Sequence, residues 1–145
     1  MQQPAEVCFH PVAGFMGLPA VRAAGTGAAR ACVVGIPFDC GTHPFRVGSR
    51  QGPDAIREQS RLLRPVDIFR RHGIDNPPEF LRAIDVGNVA CHPGDPDASY
   101  PLIEAGIGAI LDAGAIPISM GGDGAVTLPQ LRAVARRHPD FVVLH

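Results

Sequence analysis

The stretch Ala31-Cys32-Val33-Val34-Gly35-Ile36-Pro37, followed by a Gly-rich loop and then by Pro53-Asp54-Ala55-Ile56-Arg57-Glu58-Gln59-Ser60, decides the fold. A short apolar run closed by Pro reads as a buried strand. Pro near the start of the next segment reads as a helix beginning, where its missing N–H costs nothing. Ile56, Leu62 and Leu63 are the expected apolar face of that helix. A buried strand, a loop and a helix in that order suggest one unit of an α/β fold.

Outward from this unit the alternation continues. Residues 80–87 read as a strand ending in a turn, and Ser99 to Ala113 as a helix. Its Leu102, Ile103, Ile107, Ile110 and Leu111 fall at helical spacing, with Gly114 where a C-terminal cap belongs. Ala115 to Met120 reads as the next strand, and it leads into Gly121-Gly122-Asp123-Gly124. A helix over about Leu128–His138 and a last apolar strand, Phe141–His145, complete the pattern. Residues 66–72 fit a helical or an extended piece equally well. Residues 1–30 are expected to form an irregular arm with at most short helical turns, and 31–145 an α/β domain. Alternating strands and helices predict parallel pairing, with sites gathered at strand C-termini. Three loops are thereby singled out: 38–52, 87–98 and 120–127.

Composition narrows the functional classes. The chain has 145 residues, 17 Gly and 15 Pro, a combined share well above the usual value of about 12%. At 46% hydrophobic and 19% charged it can still bury a core, which excludes a fibrous or extended disordered chain. Every basic residue is Arg, and the net charge of -1 argues against a nucleic-acid partner. No apolar run approaches the roughly 20 residues of a membrane-spanning helix. The start Met1-Gln2-Gln3-Pro4-Ala5-Glu6 has no signal-peptide character. Cys8, Cys32, Cys40 and Cys91 show no zinc spacing, so free thiols in a cytoplasmic protein are expected.

The three loops differ in what they offer. Thr42, His43, Arg46 and Arg50 lie in the first loop. The two Arg suit a carboxylate or phosphate ligand, but the better account from composition is that they pin the loop to backbone carbonyls or to acids such as Asp54. Asp85, Asn88, His92, Asp95 and Asp97 surround the second, where turn chemistry is the better account because no calcium-loop spacing is present. The third carries Gly121, Gly122, Asp123 and Gly124, a segment that fits a helix-start turn about as well as a site. Cys40 with His43, and Cys91 with His92, are neighbours in sequence, which seldom gives Cys–His catalytic geometry. His10, His72 and His138 read as surface histidines, and Arg132, Arg136 and Arg137 as the solvated face of the last helix.

Taken together, four stretches resemble the ureohydrolase family of arginases and agmatinases, most closely its agmatinase branch. They are residues 34–42, the Arg-x-Gly-x-Arg-x-Gly-Pro-x-x-Ile-Arg motif at 46–57, Asp85-Val86-Gly87-Asn88-Val89, and residues 117–129 around Gly-Gly-Asp. The resemblance implies a three-layer α/β/α fold around a parallel sheet. It implies two manganese ions sharing a hydroxide that attacks a guanidinium carbon, releasing urea and an amine. It also implies a small guanidino substrate and a homo-oligomeric full-length form. Gly124 occupies the place of the family's first His ligand, and Asn88 that of an Asp. Asp123, Gly121 and Gly122 match supporting positions. The family's other ligands fall in motifs aligned after Leu144-His145. The chain therefore resembles the N-terminal half of such a domain, cut within a core strand, with no metal ligand or catalytic residue intact and no activity expected of it alone. A non-catalytic relic or partner subunit of the same fold is the alternative.

Overall fold

The computed structural model describes residues 9–10, 14–21, 28–41, 47–62, 73 and 77–144. Four strands form one sheet: β1 (Phe9–His10), β2 (Ala31–Ile36), β3 (Ala83–Val89) and β4 (Ile116–Gly121). Their order is β1-β3-β2-β4, with β2 parallel to both β3 and β4 and β1 antiparallel to β3. The helices are α1 (Gly52–Ser60), the single turn α2 (Pro77–Phe80), α3 (Pro96–Asp112) and α4 (Thr127–Ala135).

β2 is central and all six of its residues are buried, as a continuous apolar run between two layers should be. Cys32, Val34 and Ile36 face the larger core, which Ile103, Ile107 and Ile110 of α3 and Val126 and Ala133 around α4 complete. Val33 faces a smaller cluster with Leu18 and Met120. The regular spacing seen in the sequence of α3 thus maps onto its buried stripe. Asp95 caps this helix by accepting from Ala98 N, and Gly114 follows it with φ +76°.

Several expectations shift. The second strand begins at Ala83, because Pro77–Phe80 form a helical turn and Arg82 takes a left-handed φ of 45°. Ile56 of α1 and Leu62 just after it are exposed, and the inward face of α1 is Pro53, Arg57 and Ser60. Leu63, and residues 66–72, lie outside the described residues. The arm supplies β1 and a 3-10 turn at Phe15–Gly17. α4 stops at Ala135, three residues before the expected end. Arg132 and Arg136 are exposed, as expected, and they also pair with Glu104, while the half-buried Arg137 pairs with Asp112, tying α4 and the residues after it to α3. Finally, Phe141–Leu144 make no strand. Their composition meets the apolar requirement, but no described backbone lies alongside them in a ladder, and Val142 and Leu144 are exposed.

The packing separates two isoleucines that the sequence treats alike. Ile107→Ala should lower the free energy of unfolding by about 3 kcal/mol. Ile56→Ala should leave it within about 0.5 kcal/mol. Urea titrations check both, and equal losses would contradict this assignment of the core.

Candidate functional site

The site region is built on the residues that leave β2. Phe38, Asp39 and Cys40 tie all three strand-end loops together through short polar contacts. Phe38 O accepts from Asp123 N at 3.1 Å, and Cys40 N donates to Asp123 Oδ2 at 2.8 Å, which joins the first loop to the third. Asp39 O accepts from Gly94 N at 2.8 Å, joining it to the second. The approach to the third loop is so close that a Cβ at Gly122 would lie 1.8 Å from Phe38 O. Glycine is therefore required there for lack of space.

Inside the first loop the Asp39 carboxylate is the anchor. It is buried, and its Oδ2 accepts from Gly48 N, Arg50 N and Arg50 Nε at 3.2, 3.0 and 2.9 Å. Arg50 Nη2 reaches Oδ1 at 2.5 Å. This is the bidentate geometry at which Arg excels. The Arg50 guanidinium and these backbone donors together hold the Asp39 carboxyl down at about 2. Arg50 thus pins the loop, as one of the two sequence readings has it, but to Asp39 and not to Asp54. Thr42, His43 and Arg46 lie outside the described residues.

A second polar centre sits beneath, between α1 and β3. Arg57 and Asp85 are both buried and meet side by side, Nε to Oδ2 at 2.8 Å and Nη2 to Oδ1 at 2.9 Å. Asp85 also accepts from Phe15 N and Gly87 N, so each of its oxygens has two donors. Arg57 Nη1 donates to Asn88 Oδ1 at 2.6 Å, and Asn88 Nδ2 donates to Asp54 Oδ1 at 2.9 Å. Asn at position 88 is thereby an acceptor toward Arg57 and a donor toward Asp54, a pairing that an ionised Asp could not make. Gly35 of β2 makes room for this: a Cβ there would lie 1.8 Å from Asn88 Oδ1. Asp85, read as part of a strand, and Asn88, read as a loop residue, are both buried strand residues.

Asp123 serves the backbone with both oxygens, Oδ1 accepting from Ala125 N at 3.0 Å and Oδ2 from Cys40 N. It caps the turn that leads into α4. Gly124 is exposed, and a Cβ there would meet nothing within 4 Å. Burial and the neighbouring Asp123 carboxylate push the Cys40 thiol upward. Burial raises Cys32 to about 11 and Cys91 to about 12. None of the three is a thiolate near neutrality, which fits free, unreactive thiols. Ser99 Oγ closes the second loop on the backbone of His92, accepting from its N–H and donating to its C=O. Among the described residues, no group of three His, Cys, Asp or Glu could hold a metal ion.

Residues 29–145 match the family model described as the arginase family. The chain belongs to the arginase family. It is 35% identical over 138 residues to guanidinobutyrase from Pseudomonas aeruginosa, which spans 94% of this chain and 42% of the relative. Agmatinase from Bacillus anthracis is 33% identical over 113 residues, 78% of this chain and 37% of that one. The solved structure of proclavaminate amidino hydrolase from Streptomyces clavuligerus superimposes with a TM-score of 0.77 at 31% identity, covering 94% of this chain and 44% of that one. The arginase-type α/β fold is therefore shown, and the chain spans less than half the length of these relatives, over their N-terminal part.

Sequence reading found the three loops but missed Asp39 and Arg57. Arg50 and Arg57 belong to one sequence motif, and each meets an Asp, Asp39 and Asp85 respectively, that no sequence spacing pairs with it.

Arg57→Leu should cost about 3–5 kcal/mol, because it leaves Asp85 buried without its cation. A loss below about 1 kcal/mol in thermal or urea unfolding would contradict the buried pair. For Asp39 the folded carboxyl titrates below its ordinary 3.8. Its contribution is full above that value and fades as pH falls toward about 2. Asp39→Asn should remove this part of the acid limb of the stability profile. An unchanged slope between pH 4 and 2 would refute the assignment.

Proposed function

We propose that the chain is the N-terminal part of a guanidino-compound hydrolase, which splits its substrate with water to urea and an amine. The observation that carries this is the junction of the three strand-end loops on Phe38, Asp39 and Cys40, at the end of the sheet where α/β folds place their sites. The names of the relatives, guanidinobutyrase, agmatinase and proclavaminate amidinohydrolase, support the guanidino class and differ in the compound. In this reading the chain's own residues supply the platform. Asp39 and Arg50 fix the first loop, and Asp123 fixes the third.

The two manganese ions implied by the family do not fit the described residues. Gly124 has no donor atom, and both oxygens of Asp123 are engaged by backbone N–H groups. The 145-residue chain alone is inactive in this account. Gly124 also favours a second reading, a non-catalytic subunit of the same fold.

One set of proteins separates the two. The chain is fused to the C-terminal portion of the guanidinobutyrase relative, with Gly124 or with Gly124→His, and urea release is assayed with manganese and 4-guanidinobutanoate, agmatine or arginine. Release with Gly124 in place supports the hydrolase, and release only with Gly124→His supports the non-catalytic reading. Both folded fusions failing on every substrate would overturn the hydrolase reading. The open space at Gly124 predicts that the His variant folds as well as the parent.

A further inference from the structure

Asp85 of β3 holds both ends of the segment 14–21. Phe15 N donates to Asp85 Oδ2 at 2.8 Å. At the other end Val21 N donates to Asp85 O, and Asp85 N donates to Pro19 O, each at 3.0 Å. Between these points Met16 N donates to Ser60 Oγ at 2.8 Å. Both anchors lead to the buried pair: Asp85 Oδ2 also meets Arg57 Nε, and Ser60 Oγ donates to Arg57 O. The segment is thus buckled to the Arg57 centre from α1 and from β3 at once.

Its apolar grip is small by comparison. Leu18 is buried against Val33 and Met120, with Phe15 half-buried beside them. Its backbone is strained. Met16 takes a left-handed φ of 51°, a conformation that persists only where its surroundings impose it. Gly17 follows at φ +74°, exposed, with open space where a Cβ would stand. A segment held by polar contacts over a small apolar base belongs to the low end of local stability.

We propose that residues 14–21 are a strap that opens and closes as one unit over the Arg57–Asp85 pair while the sheet beneath stays folded. The shared anchor makes the opening cooperative. Release of either end leaves a buried group of Asp85 without its partner, which costs more than the bond itself contributes, so the two ends let go together. An open strap admits water to the pair, and a hydrated ion pair is a weak one. The strap therefore governs how firmly Arg57 holds α1. The same guanidinium carries the contact to Asn88, so the strap and the site end of β3 share one cation. This device does not depend on the guanidino reading.

Hydrogen exchange of the 145-residue chain, read amide by amide, tests it. The amides of Phe15, Met16, Val21 and Asp85 should share one opening free energy, below that of Val33 and Val34 in β2. Asp85 decides most, because it lies in a buried strand yet should exchange with the strap. Gly17→Ala meets no neighbour and acts through φ alone. It should speed all four amides roughly tenfold and leave Val33 and Val34 unchanged. Ser60→Ala should also speed Val21 and Asp85, which Ser60 does not touch, by roughly tenfold. Strap amides that exchange only as slowly as β2, or each with its own opening free energy, would overturn the proposal. So would an effect of Gly17→Ala confined to Gly17 and Leu18.

Discussion

The buried pair of Arg57 and Asp85 is the interaction on which the described structure turns. A charge taken out of water is tolerable only when its partner and its remaining hydrogen-bonding positions are supplied. Here they are supplied by three different segments. Arg57 comes from α1, Asp85 and the Gly87 carbonyl from β3, and the Phe15 amide from the 3-10 turn of the N-terminal arm. Ser60 extends the contact by donating to Arg57 O and accepting from Met16 N. One ion pair therefore fixes a helix, a strand and the arm on one face of the sheet, where the apolar cluster is small. The other face, with α3 and α4, is held mainly by apolar burial.

This division of labour places the site region. The apolar face sets the height of the sheet, and the Arg57 centre sets where α1 begins. Together they leave β2 to deliver Phe38, Asp39 and Cys40 to one end, where the three loops are stitched. The polar atoms there are spent on one another and on backbone groups. The region offers no convergent set of metal ligands among the described residues. The chain spans less than half the length of its relatives.

Much of this was legible in the sequence. The run Ala31–Ile36 and the spacing of Ile103, Ile107 and Ile110 carry their burial in their periodicity. The Gly121-Gly122-Asp123 turn carries its need for close approach in its glycines. What the sequence hid was pairing between distant residues. α1 reads as an amphipathic helix with Ile56 inward, but Arg57 turns inward instead because the buried Asp85 carboxylate on β3 pairs with it. Arg132 and Arg136 are solvated as they read, but their pairing with Glu104, and that of Arg137 with Asp112, shows only once α3 is placed beside them. β1 is two residues long in a Gly- and Pro-rich arm, too short for any period to show. Phe141–Leu144 erred in the other direction, since apolar composition cannot reveal whether a ladder partner is present.

The central claim is that this unit is an arginase-family scaffold whose own residues do not assemble the family's metal centre. Manganese(II) titration of the 145-residue chain, followed by the electron paramagnetic resonance signal of the free ion, tests it most directly. The account predicts that the signal grows with added metal as it does in buffer. Stoichiometric loss of the signal, one or two ions per chain, would contradict it.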